Sequence, residues 1–113
     1  MTTLLRLQQW YTRQCDGEWE HQRGIKIESC DNPGWWVKVE LKGTVLERVP
    51  FERVAENVDA DGFRQGPRWL CCHVTDGIWN GGGDETKLER ILDVFLSWAE
   101  THGSYQSDEP NAG

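Results

Sequence analysis

The residues best suited to do chemistry are Cys71-Cys72-His73, because a thiol beside an imidazole can become a nucleophile. Side-chain alternation along a strand would place Cys71 and His73 on one face and turn Cys72 toward the core. A small thiol enzyme using Cys71 and His73 is therefore one alternative. A sulfurtransferase assignment lacks chemical support, since no arginine follows within three residues of any cysteine to help cradle an anion.

Metal chemistry is not indicated by the spacing of the remaining ligand-type side chains. A zinc site could only draw on scattered residues, namely Cys15, His21, Cys30 and Cys71. Structural zinc modules instead present their ligands as closely spaced pairs. We predict no metal, no cofactor and no catalytic residue.

The triple glycine Gly81-Gly82-Gly83 precedes a helix, as phosphate-binding loops do. Asp84 and Glu85 occupy the place where an anion would bind, and no Lys-Ser/Thr pair follows. We therefore expect a flexible connector rather than a phosphate site.

Residues 25–28 and 35–41 alternate apolar and polar side chains with the period of a β-strand. We predict an antiparallel hairpin with one buried face. That face would carry the apolar residues of both strands, Ile25, Ile27, Trp35, Val37, Val39 and Leu41.

The register of this hairpin can be predicted from its charges. Lys26 would lie opposite Glu40, and Glu28 opposite Lys38, because opposite charges favour cross-strand pairing. Pro33-Gly34 suits the centre of a type II turn. A bare two-residue turn would give the wrong parity, so we also expect a bulge or a longer loop here.

Two helices should flank the strands. Leu4, Leu7 and Tyr11 have helical spacing, Thr2 or Thr3 can cap the first turn, and this helix should end near Cys15. A second apolar stripe runs over residues 88–99, after a predicted capping box of Thr86 and Glu89 and before a stop at Gly103.

The middle of the chain is less regular. Residues 44–47 and 69–75 read as strands, and Ile78-Trp79 as a short one. Residues 51–58 stay open, since their apolar residues have helical spacing in a short segment that follows Pro50. We predict an α+β fold, with an antiparallel sheet of four to five strands and both helices on one face. Residues 1–103 would form one domain, and residues 104–113 a polar, disordered tail.

The composition argues against nucleic acid as a partner. The chain has 19 acidic and 12 basic residues, a formal charge of −7, and no basic cluster to neutralise phosphates. No apolar run approaches the ~20 residues that span a bilayer, and no signal peptide is evident. Four cysteines without a secretory context favour reduced thiols, so we expect a cytoplasmic protein.

Trp36 and the segment 16–20 are the residues best placed to bind a partner. Trp36 would share the outer face of the hairpin with Lys38 and Glu40, either exposed or covered by a loop. A second alternative function is therefore a module that binds a small ligand through exposed tryptophan.

Three segments resemble the Immunity protein 53 family: QCDGEWEH at 14–21, GIKIE at 24–28 and DNPGW at 31–35. The leucine-rich first helix with Trp10-Tyr11 and the last helix through Trp98-Ala99 are also similar, so the resemblance covers residues 4 to 100. It implies an immunity protein of a bacterial polymorphic toxin system, which binds and neutralises a cognate toxin without catalysis.

The acidic charge adds a hypothesis about that partner. An acidic inhibitor could block a basic nuclease domain by imitating the charge of phosphate. The candidate contact residues are Asp16, Glu18, Trp19, Glu20, Asp31 and Trp36.

Overall fold

The computed structural model describes residues 1–102 as an antiparallel sheet with helices against one face. In chain order the elements are α1 (Thr3–Gln14), α2 (Trp19–Gln22), β1 (Ile25–Cys30), β2 (Gly34–Glu40), β3 (Val54–Glu56), β4 (Leu70–Thr75), β5 (Ile78–Gly83) and α3 (Leu88–His102). The five strands have the order β1-β2-β5-β4-β3. The predicted α+β architecture is confirmed. The predicted stop at Gly103 and the tail at 104–113 lie outside the described residues.

The first helix forms as predicted. The Thr2 hydroxyl accepts a hydrogen bond from the backbone N–H of Leu5, which caps the helix, and Cys15 ends it. Leu7 and Trp10 are buried. Arg6 fixes α1 to α3, because its guanidinium donates two hydrogen bonds to Glu100, at 2.9 and 2.8 Å.

The β1–β2 hairpin has the predicted faces but a different register. Lys26 lies opposite Lys38 and Glu28 opposite Trp36, so both predicted charge pairs are wrong. The connection consists of residues 31–33, and Gly34 already pairs with Cys30. The expected longer loop is therefore present, whereas a type II turn is not, since Gly34 lacks the positive φ that such a turn requires.

Burial on this hairpin follows the position of the helices. Val37 and Val39 on β2 are buried, as predicted, while Ile27 is 41% exposed. The prediction that Ile27 is buried is wrong because β1 is an edge strand, and α3 packs over the central strands.

Residues 44–47 form turns rather than the predicted strand. The Thr44 hydroxyl donates to the carbonyl of Leu41 and accepts from the N–H of Leu46, and these two hydrogen bonds stabilise a tight turn. Leu46 is fully buried by this turn. In the segment left open, Val54–Glu56 forms the short edge strand β3, paired with β4.

The triple glycine belongs to the central strand β5, so the predicted flexible connector is wrong. Gly81 and Gly82 pair with β2 on one side and β4 on the other. A Cβ at Gly81 would lie 2.5 Å from Cγ2 of Ile91 and 2.7 Å from the Trp79 ring. Glycine is required here because α3 approaches the backbone of β5 too closely for a side chain.

Asp84 joins this strand to α3. Its carboxylate is buried and accepts hydrogen bonds from the N–H of Trp69 at 2.8 Å and from Lys87 at 3.0 Å. The Thr86 hydroxyl also donates to Asp84, and Glu89 accepts from Thr3 instead. The predicted capping box of Thr86 and Glu89 is therefore wrong.

Candidate partner-binding face

The sheet face that the helices leave uncovered carries an aromatic pair. Trp36 lies across Gly82, where a Cβ would come within 2.5 Å of the indole. The Trp36 and Trp69 ring centroids are 5.9 Å apart. Trp69 is 5% exposed and Trp36 is 40% exposed, so Trp36 presents the free edge of the pair. Of the two alternatives left open for Trp36, exposed or covered by a loop, the structure shows the exposed one.

Arg64 closes the far side of Trp69. Its guanidinium carbon lies 4.3 Å from the Trp69 ring centroid, a cation–π arrangement. When the side-chain amide of Asn32 is oriented with its oxygen toward Arg64, this oxygen accepts hydrogen bonds from the two terminal nitrogens of the guanidinium, at 3.2 and 3.3 Å. The turn between β1 and β2 and the loop before β4 thereby meet at Arg64.

Asp59 gives that loop its shape. One oxygen of its carboxylate accepts from the backbone N–H groups of Asp61 and Phe63, both at 2.9 Å. The other accepts from the Gln65 amide at 3.0 Å. Val58 and Arg64 form a β-bridge across the loop base, and Phe63 projects at its tip, 67% exposed.

These residues enclose a cavity of about 270 Å³, which we call the Trp36 cleft. Its lining consists of Trp36, Val58, Gly62, Arg64, Trp69, Cys71, His73, Asn80, Gly81 and Gly82. The lining has a guanidinium, an imidazole and an amide but no carboxylate. The cleft therefore suits an electron-rich or anionic group on whatever occupies it.

The thiol residues lie on the faces predicted for them. Cys71 and His73 line the cleft, while Cys72 is buried in the core. Burial raises the pKa of the Cys72 thiol to about 12, so it stays protonated near neutral pH. His73 Nδ1 is 3.0 Å from the Thr75 hydroxyl, so this nitrogen is engaged with Thr75.

The acidic loop, residues 16–20, is held by its own carboxylates. Asp16 accepts from the N–H groups of Glu18 and Trp19, each at 2.9 Å, and Glu20 accepts from those of Asp16 and Gly17. Backbone N–H groups lower the pKa of both carboxyls, that of Trp19 acting most strongly on Asp16. Asp16 and Glu20 thus stay ionised, and their carboxylates also hold the loop together. The exposed carboxylate of Glu18 takes no part in these hydrogen bonds.

Trp19 anchors this loop to the core. The side chain is 3% exposed, and its Nε1 donates to the carbonyl of Glu40 at 3.1 Å. Its ring packs against Trp10 and Tyr11, with centroids 5.8 and 5.6 Å away. Trp19 can affect a partner only by positioning the acidic loop.

The predicted contact residues fall into two groups. The acidic loop meets the end of β2 at Glu40, whereas Asp31 lies in the turn at the opposite end of the hairpin. β1 has six residues, so the two ends are roughly 17 Å apart at ~3.3 Å per residue. Trp36 belongs with Asp31 near the cleft.

Sequence reasoning singled out Trp36, Cys71 and His73 of the cleft lining, and the polar or aromatic residues that it missed are Arg64, Trp69 and Asn80. Trp69 is two residues before Cys71, so side-chain alternation along the predicted strand could have placed both on the outer face of the sheet. Arg64 and Asn80 reach the cleft through loop folding and strand order, which have no local signature.

Within residues 1–102, no three His, Cys, Asp or Glu side chains are grouped so that they could hold a metal ion. No helix in this part of the chain is long and apolar enough to cross a membrane.

A sequence model of the family described as Immunity protein 53 matches residues 4–100. No curated protein and no solved structure shows a significant match to the chain.

Proposed function

We propose that this chain, which belongs to the Immunity protein 53 family, binds its cognate bacterial toxin directly and blocks it without catalysis of its own. Membership of the family implies an immunity protein against a toxin. The match over residues 4–100 is the observation that carries the proposal. We also propose that the protein acts in the cytoplasm of the cell that produces the toxin.

The proposed contacts form two patches. The acidic loop contributes Asp16, Glu18 and Glu20, and Trp19 holds it in place. Asp31 and Trp36 contribute at the cleft. A half-exposed tryptophan backed by a second ring has the size and rigidity of an interface hot spot, and its removal typically costs ~2 kcal/mol or more of binding.

The acidic loop fits a partner with a basic surface, such as a nuclease domain. The chain carries a charge of −7, and hydrogen bonds keep Asp16 and Glu20 ionised. Attraction of this kind speeds association and weakens with salt. Tight binding to the toxin that does not respond to salt would contradict this part of the proposal.

The experiment is co-expression of the chain with the toxin encoded next to it, together with titration of the purified pair. Wild type should restore growth and bind. Trp36→Ala and Glu18→Lys should weaken both without unfolding the protein. Glu18 is preferred to Glu20 because the Glu20 carboxylate also builds the loop.

Glu52→Lys is the matched control for Glu18→Lys, since Glu52 is exposed and precedes β3 at the other edge of the sheet. It makes the same change in charge and should leave binding near the wild-type value. A wild-type chain that neither protects cells nor binds the toxin would overturn the proposed function.

A further inference from the structure

Four polar side chains form a line across the uncovered sheet face. Lys26 on β1 lies opposite Lys38 on β2, Lys38 opposite Asn80 on β5, and Asn80 opposite His73 on β4. We call this line the polar row. It runs beside Trp36, and Asn80 and His73 also line the Trp36 cleft.

The two lysines at one end of the row have no obvious structural reason to face each other. Like charges directly opposite on neighbouring strands destabilise a sheet. Both side chains are exposed, and neither forms an ion pair within the described part of the chain. The nearby carboxylate of Glu40 is 3.8 Å from Arg23 instead.

A carboxylate directly opposite Lys38 would have replaced the repulsion between the two lysines by attraction, and the chain is rich in acidic residues. Glu28 and Glu40 lie on the same face but only at diagonal positions, two residues from Lys26 and Lys38, where they offset the repulsion between the lysines less than a directly opposite carboxylate would. The unfavourable Lys26–Lys38 pair therefore suggests a role that the isolated fold does not reveal.

The neighbouring cleft has the same electrostatic character. Arg64 stacks on Trp69 at its far wall, and no carboxylate lines it. The two lysines of the polar row and Arg64 of the cleft together form a basic strip on a chain whose formal charge is −7.

We propose that this strip receives an acidic segment of the cognate toxin, with carboxylates facing Lys38 and Arg64 and an apolar residue against Trp36. The inference rests on the proposed function and specifies the chemistry of the partner at this face. Nucleic acid fits less well: a protein segment can place single carboxylates at Lys38 and Arg64, whereas the continuous phosphate charges of a nucleic acid would also meet Glu28 and Glu40, which flank the row.

The test is the affinity of purified toxin for Lys38→Glu and for the double variant Lys26→Glu/Lys38→Glu. Each step should weaken binding, with about tenfold or more lost at Lys38, as expected for a close charge pair across an interface. The midpoint of urea unfolding for Lys38→Glu should stay near the wild-type value, since the attraction to Lys26 that the change creates offsets the repulsion from Glu28 and Glu40 beside it. Reduced binding by a fully stable variant excludes misfolding as the cause.

Arg48→Glu supplies the control with the same change in charge. Arg48 is exposed in the segment next to Pro50, whose carbonyl accepts from Trp98 of α3, so it belongs to the helix-covered side. It should bind the toxin like wild type.

The outcomes separate the two proposals. If the wild-type chain does not bind the toxin, the proposed function fails and this inference fails with it. If wild type binds and both lysine variants bind equally well, only the inference is overturned. Binding of a short single-stranded oligonucleotide by wild type that Lys38→Glu abolishes would also overturn it, since the strip would then serve nucleic acid.

Discussion

Replacing Asp84 by asparagine tests whether one buried carboxylate holds the Trp69 wall of the cleft. Asp84 accepts from the N–H of Trp69, and the N–H of Asp84 donates back to the Trp69 carbonyl at 3.2 Å. Lys87 and Arg68 add ion pairs at 3.0 and 3.2 Å. An asparagine has one acceptor oxygen for these donors and turns an N–H₂ group toward some of them.

The expected cost follows from the burial of each partner. Lys87 is 21% exposed and Asp84 only 2%, so their ion pair is mostly shielded from water, whereas Arg68 is half exposed and matters less. Breaking a buried ion pair costs about 3–5 kcal/mol. Because the asparagine oxygen keeps some hydrogen bonds, we expect a loss of about 3 kcal/mol in the free energy of unfolding near neutral pH.

The same prediction has a pH dependence. Burial acts to raise the pKa of Asp84, but hydrogen bonds from Thr86, Trp69 and Lys87 outweigh it and hold that pKa well below its ordinary value. The stabilisation is therefore complete above the unfolded pKa of ~3.9 and declines as the pH falls below it. At about pH 3, the difference in the free energy of unfolding between wild type and the variant should be smaller by roughly 1.3 kcal/mol than at neutral pH.

Urea unfolding followed by tryptophan fluorescence measures both quantities. Comparing the variant with wild type at each pH cancels the titration of the other carboxyls. Glu85→Gln, which removes an exposed partner of Arg68, is the control and should change little. A loss below about 1 kcal/mol at neutral pH, or an equal difference at both pH values, would refute the reasoning.

Three further predictions concern β5 and the neighbouring strand β4. Gly81→Ala should destabilise the protein by about 1–3 kcal/mol in urea unfolding, because its Cβ would overlap the buried Ile91, and an unchanged midpoint would contradict this. Gly82→Ala should lower the free energy of unfolding less than Gly81→Ala does, since Trp36 is partly exposed and can move outward. It should shift the fluorescence of Trp36 and weaken toxin binding. Unaltered emission would contradict the packing of Trp36 on Gly82. Cys72 should stay unmodified by a thiol reagent at mildly alkaline pH in the folded protein, because burial raises its pKa to about 12, and mass spectrometry of the labelled peptides would reveal any exception.

The sequence patterns that predicted structure correctly are local ones. The stripe of α1 and the alternation of the hairpin each bury one face, and this requirement is visible in a few consecutive residues. The register was not visible, because it depends on the length of the 31–33 connection rather than on charge pairing.

Residues without a side-chain pattern were the main source of error. Gly81-Gly82-Gly83 resembles a linker until its neighbours are known, since only the proximity of Ile91 and Trp36 explains the glycines. Leu46 is buried by a turn whose hydrogen bonds come from Thr44, and a short apolar run cannot distinguish this from a strand. Trp36 could be placed on the outer face by parity, but the residues that surround it meet only through long-range contacts.

The loop shaped by Asp59 has a consequence for how recognition can evolve. Its conformation depends on the Asp59 carboxylate, a β-bridge at its base and the stacking of Arg64 on Trp69, and not on packing of the exposed side chains at its tip. The exposed residues Ala60, Asp61 and Phe63 at its rim can therefore change while the sheet beneath keeps its structure, whereas the positive φ of Gly62 favours glycine there. The sheet would then supply a constant platform for affinity, and this loop an adjustable element that distinguishes one toxin from another.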